Sequence, residues 1–154
     1  MLLRRRGWRV LHDRRLDPTR PENLDHLLVG PAGVYVPDSK RWPGTITVDP
    51  ATGKVTVTSL DAPDLTSTRD IAGAVRALGW RVHQHLAATT PRPTPWVQAV
   101  VVFWGEFPQR HVHTGRVHYL AGDHLRTWLL EQPTTGRLDL DVVTAALRDG
   151  LPTA

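Results

Sequence analysis

The order of hydrophobic patterns predicts an α/β fold: a mixed β-sheet flanked by helices. Three observations carry this. Two apolar stretches near the start are joined by a Gly/Pro turn, a helical stripe follows in the middle of the chain, and an unbroken apolar run comes after it. At 154 residues the chain suits one domain able to bury a core, read as residues 1–148 with a short tail over 149–154.

Trp8 to Leu11 reads as a short strand. Leu24–Val29 and Val34–Val36 flank Gly30-Pro31-Ala32-Gly33 and form a β-hairpin. Ile46 and Val48 face Val55 and Val57 across Asp49 to Gly53 as a second hairpin. Its alternation with threonine predicts one wet face. From Ser67 to Leu86 the period becomes helical, with Ile71, Val75, Leu78, Val82 and Leu86 in one stripe. Ser67 or Thr68 is placed to cap this helix, and Gly73 and Gly79 predict irregularity within it. Thr89 to Pro95 is a proline-rich connector. Ala99 to Trp104 has the continuous apolarity of a central strand covered on both faces. Val117–Leu120 is a further strand, and Asp123–Leu130 and Asp139–Leu147 are two closing helices. Trp80, Trp104 and Trp128 are assigned to the core or its margin, and His83 and His85 to the surface.

Arg4-Arg5-Arg6-Gly7 has the chemistry of a helix C-terminus, with cations at the negative end of the dipole and glycine at the cap. Only six residues precede Gly7, whereas an isolated helix needs roughly 12 or more. The sequence therefore implies either a single frayed turn or the end of a first helix that the chain lacks. In the second case an apolar face of the sheet would be left open for self-association.

The chain contains no cysteine, which excludes disulfides, thiolate metal sites and cysteine nucleophiles. No apolar run reaches the roughly 18 residues that span a bilayer, so no membrane role is expected. The charged start does not match a signal peptide, which gives a cytoplasmic expectation. The formal charge is +4. The basic residues are almost all arginine, with Lys40 and Lys54 the only lysines. Arginine forks suit phosphate, so nucleic acid is a natural partner. A GC-rich bacterial genome would produce the same composition.

The chemistry lies between Asn23 and Lys40. Asp25 sits inside one apolar strand and Asp38 ends the next, where a lone carboxylate is costly unless paired or bound to a cation. Lys40, two residues on, points to the same side as Asp38. Two carboxylates and the Ser39 backbone carbonyl are hard oxygen ligands for Mg²⁺ or Mn²⁺. The Lys40 ammonium would orient a water and offset developing charge. Read alone, the same residues also fit a turn cap at Asp25 and an exposed Asp38–Lys40 ion pair.

The wider stretch decides between these readings. Asp25-His26, then Gly30-Pro31-Ala32-Gly33-Val34, then Asp38-Ser39-Lys40 and Gly44 resemble the nuclease-related domain family of the PD-(D/E)XK nuclease superfamily. The resemblance extends less sharply through the helix near Arg69, the run Val100–Phe103 and the segment Val117–Leu130. It implies a PD-(D/E)XK nuclease-like fold and a divalent metal site at Asp25 and Asp38, with Lys40 as the catalytic lysine. Two departures stand out. Nothing matches the glutamate-bearing G-E-R-like motif of the family's first core helix. Pro37 stands where an aliphatic residue is usual, and since proline cannot donate to a ladder, the strand end is expected to be locally unpaired.

His26, Arg41, Trp42 and Arg69 are the candidate nucleic-acid contacts, with Arg14 and Arg15 weaker ones. Trp42 would either stack on a base or cover the sheet edge. His111 and His113 share a strand face, but no third ligand accompanies them. The first functional expectation is a Mg²⁺-dependent endonuclease acting on DNA. The alternatives are a catalytically impaired nucleic-acid-binding module and a protein-interaction module, both keeping the nuclease fold.

Overall fold

The structure is a computed structural model that describes residues 2–15, 23–134, 138–151 and 153. In chain order its elements are α1 (Leu2–Arg5), β1 (Arg9–Arg15), β2 (Asn23–Gly30), β3 (Gly33–Lys40), β4 (Thr45–Val48), β5 (Val55–Thr58), β6 (Thr66–Arg69), α2 (Ala72–Thr89), β7 (Val97–Phe103), β8 (His111–Thr114), β9 (Val117–Ala121), a 3₁₀ turn (Gly122–His124), α3 (Leu125–Glu131) and α4 (Leu140–Gly150). The main sheet has the order β1-β2-β3-β7-β9-β8, and β4-β5-β6 form a second, three-stranded sheet. β1, β2 and β3 are antiparallel neighbours, while β3, β7 and β9 run parallel. This is the mixed α/β architecture of a nuclease-like fold.

The first turn behaves as its sequence predicts. The Gly7 N–H donates to Arg4 O at 3.2 Å and the Trp8 N–H to Leu3 O at 2.9 Å, with Gly7 at φ +82°. These paired bonds form a Schellman cap, with the required glycine in the left-handed position. Among the described residues, the sheet face beside this turn is covered. Leu28, Tyr35, Val100 and Val102 are buried in one cluster with Trp8, Trp128 and Leu129, and Leu3 packs on it. The opposite face is covered by α2, α4 and the second sheet. Val34, Val36, Leu27 and Val29 meet Val82, Leu86, Val143 and Leu147, and Ala99, Val101 and Phe103 meet Ile46, Val48, Val55 and Val57.

The predicted hairpins form in register, with Val29 opposite Val34 and Ile46 opposite Val57. Gly30 is required at the first turn because Trp8 lies on it, and a Cβ there would come within 2.2 Å of the indole. Several expectations are corrected. Ser67 and Thr68 lie in strand β6, whose residues are all exposed, and the helix starts at Ala72 with no side-chain cap. α2 runs unbroken past Gly73 and Gly79. β8 is an additional strand, paired to β9. Trp80 and Trp104 are 59% and 47% exposed, so only Trp128 of the three is core. His85 is half-buried and hydrogen-bonds Ala146 O of α4 at 3.0 Å. Among the described residues, no helix is long and apolar enough to cross a membrane.

Candidate functional site

β3 changes character along its length. Gly33 to Pro37 are buried, whereas Asp38, Ser39 and Lys40 are half-exposed. The backbone explains why. Val34 donates to Trp96 O at 3.1 Å and Lys40 O accepts from Trp104 N–H at 3.0 Å, so even-numbered residues of β3 turn their peptide groups toward β7. Odd-numbered residues therefore turn theirs toward β2, because these groups alternate along a strand. Pro37 falls on the β2 side and has no N–H to give. The β2–β3 ladder ends at Leu28–Tyr35, whereas β3 stays paired to β7 as far as Lys40. The unpaired strand end expected from Pro37 is thus present. The Ser39 carbonyl turns toward β2 beyond the last ladder pair.

Asp38 and Lys40 project to the face of the sheet that Val34 and Val36 occupy. The Lys40 Nζ lies 3.2 Å from Asp38 Oδ2, with side-chain exposures of 27% and 23%. Continuing the β2–β3 register would set Asp25 opposite Asp38, but pairing has stopped by then. Asp25 is exposed and makes no ion pair among the described residues. Leu24 and Leu27 enter the same apolar cluster, so strict alternation is broken on either side of Asp25. Among the described residues, no group of three or more histidine or carboxylate side chains converges to hold a metal ion. The released strand end itself offers the Asp38 carboxylate and the Ser39 carbonyl, oxygen donors of the hard kind that Mg²⁺ and Mn²⁺ take.

The other candidates divide into three places. Trp42 adjoins the ion pair, with its ring centroid 5.6 Å from Lys40 Nζ, 4.2 Å from the Arg69 guanidinium carbon and 6.0 Å from the Phe103 ring. Arg69 reaches it from the end of β6, so the second sheet contributes a cation to the rim. Arg41 points elsewhere, its guanidinium carbon 5.5 Å from the Trp104 ring. His26 pairs with His12 of β1 at 2.9 Å between Nδ1 atoms. Arg14 is committed to α4, donating to Arg148 O and Leu151 O.

The sequence reading missed two features. Trp104 Nε1 donates to Ser39 Oγ at 3.3 Å, which ties the end of β7 to the D-S-K segment. His118 of β9 joins His111 and His113 as a third histidine. It stacks on His113 at 3.8 Å between centroids, and its Nδ1 is 3.1 Å from His111 Nε2. Burial, with His113 and His111 adding to it, pushes His118 down to about 4. Only the antiparallel pairing of β8 with β9 brings this third ring in, so spacing along the chain could not reveal it.

A comparison with protein families gives one result: the nuclease-related domain family matches residues 1–104. The match takes in the β2–β3 hairpin, Asp38-Ser39-Lys40 and β7, and stops short of Val117–Leu130. No curated protein and no solved structure matches the chain.

Proposed function

Because the chain belongs to the nuclease-related domain family, within the PD-(D/E)XK superfamily, we propose that it is a divalent-metal-dependent nuclease hydrolysing DNA phosphodiester bonds. The observation that carries this reading is the released end of β3. There a carboxylate, a backbone carbonyl and an ammonium are held by β7 yet freed from β2. Asp38, Asp25 and the Ser39 carbonyl would hold Mg²⁺ or Mn²⁺, which when bound supplies Lewis acidity to the phosphodiester.

The chain's own residues do the rest. Lys40 is held by Asp38 and packed beside Trp42, so its ammonium is fixed where negative charge would develop on a phosphate. Arg69 and Arg41 supply forked donors on two sides of the strand end for neighbouring phosphates. His26 lies on the β1 side, where its partner His12 leaves it one further ring nitrogen for a substrate contact.

The test is to incubate plasmid and single-stranded DNA with the protein in Mg²⁺, in Mn²⁺ and in EDTA. Cleavage that needs the divalent ion and disappears in Asp38→Asn is expected. Cleavage that persists in EDTA would overturn the reading.

A further inference from the structure

A cleft of about 470 Å³ opens at the carboxyl ends of β7 and β9, lined in part by Trp104, Glu106, Pro108, Arg110, Gly122 and Asp123. Its volume falls within the range of small-ligand sites. In sheets of this kind, the ends of parallel strands are where ligands are bound. The wall is firmly built: Ile46 N–H donates to Glu106 O at 2.8 Å, and the Gln109 side-chain amide bonds both Val48 N–H, at 2.7 Å, and Val48 O, at 2.9 Å. The loop from Trp104 to Gln109 thus extends the second sheet.

Trp104 lines the cleft on the side nearest Asp38-Ser39-Lys40, with the Arg41 guanidinium carbon 5.5 Å from its ring. Its six-membered ring rests on Gly122, where an added Cβ would come within 2.3 Å of it. Its Nε1 is fixed to Ser39 Oγ, yet the residue is 47% exposed. Trp42 differs in having Arg69, Lys40 and Phe103 around its ring. The acidic groups in the cleft, Glu106 and Asp123, disfavour a phosphate, and Asp123 is already paired with Arg110 at 2.8 Å. What fits an aromatic floor with carboxylate acceptors is a planar ring bearing N–H donors.

We infer that this cleft takes an unpaired nucleobase of the DNA substrate, stacked on Trp104 and accepted along its amino edge by Glu106. The inference rests on the nuclease reading and adds the form of the substrate: single-stranded or locally opened DNA. Asp38 and Lys40 occupy one face of the sheet, and Ser39, Arg41 and Trp104 the other. A nucleotide crossing the strand end presents its phosphate to the first face and its base to the second. The base replaces the Arg41 guanidinium over the indole and releases it toward a phosphate. An amino group such as cytosine N4 can donate to the carboxylate, whereas the single N3–H donor of thymine is flanked by two carbonyl oxygens that a carboxylate facing that edge repels.

The experiment is fluorescence anisotropy of labelled 12-nucleotide oligo-dC, oligo-dT and a mixed duplex in EDTA, with wild type, Trp104→Ala, Trp104→Phe and Glu106→Gln, each checked for an unchanged melting temperature. Oligo-dC should bind more tightly than oligo-dT and duplex. Trp104→Ala should weaken oligo-dC binding about ten-fold, the scale of one lost base stack, and Trp104→Phe should restore most of it. Glu106→Gln should narrow the difference between dC and dT. Wild-type binding of oligo-dC that Trp104→Ala leaves unchanged overturns the cleft assignment alone. If wild type binds none of the three DNAs, the DNA-directed function fails and the cleft assignment with it.

Discussion

The two halves of β3 share β7 as one neighbour and differ on the side of β2. From Gly33 to Pro37 the strand is buried, and it is laddered to β2 as far as Tyr35 and to β7 from Val34 onward. From Asp38 to Lys40 it keeps β7 but has lost β2, and its side chains are half-exposed. The first half uses backbone pairing and apolar burial for stability. The second keeps one ladder for rigidity and leaves its other side unpaired. A single proline, on the side where its missing N–H costs the β2 ladder and spares the β7 ladder, marks the boundary.

The sharpest way to test this contrast is to mutate each half and read both activity and stability. Asp38→Asn is expected to abolish cleavage, and Lys40→Ala to slow it by about 10²–10³-fold, the usual scale for losing one transition-state donor. Both should leave the urea midpoint close to wild type, since a pair this exposed contributes about 1 kcal/mol or less. In the buried half the pattern reverses. Val36→Ala should cost about 1–3 kcal/mol in urea unfolding, with cleavage unchanged well below the melting temperature. Equal effects from both halves on both readouts would break the comparison.

pH supplies a control at the far edge of the sheet. His118, facing His111 and His113 with Trp128 against it, is pushed down to about 4 by burial and by its two neighbours. Between its ordinary 6.5 and about 4, the unfolded chain takes up a proton that the folded chain resists. Stability from this group is therefore complete above that window and is lost as pH falls through it. The melting temperature should drop on going from pH of about 7 to about 4.5, and His118→Phe should flatten the drop. The smallest effect is expected at the boundary. Pro37→Val restores an N–H toward β2 worth about 0.5–1.5 kcal/mol, offset by about 0.4–1 kcal/mol of freedom returned to the unfolded chain. Net stability should barely move, while the residue 37 amide becomes protected in hydrogen exchange and divalent affinity weakens.

Much of this was legible in the sequence because it is local. The Gly30–Gly33 turn, the Ile46/Val57 pairing, the α2 stripe and the buried run at β7 all follow from short-range periodicity. Gly7 closes a helical turn as its neighbours predict. The misses have physical causes. β6 is Thr-Ser-Thr-Arg, exposed along its length, so no apolar period marks it as a strand. Trp80 lies two residues from both Leu78 and Val82, about 200° around the helix from each, so the stripe itself already placed it outside the core. Trp104 ends an apolar run but follows the last strand residue, and apolarity does not imply burial. The D-S-K motif could be read from its spacing. The relation of Asp25 to Asp38 could not, because it depends on where a ladder stops.

That relation is the center of the account, and Mn²⁺ titration calorimetry on wild type, Asp25→Asn, Asp38→Asn and the double variant tests it most directly. If the two carboxylates share one cation across the released strand end, each single change should weaken binding about ten-fold or more. The double variant should then fall short of the sum of the two losses, as expected for groups acting on one ion. Wild-type affinity retained in Asp25→Asn, with binding lost only in Asp38→Asn, would contradict the shared site and leave Asp25 outside the chemistry.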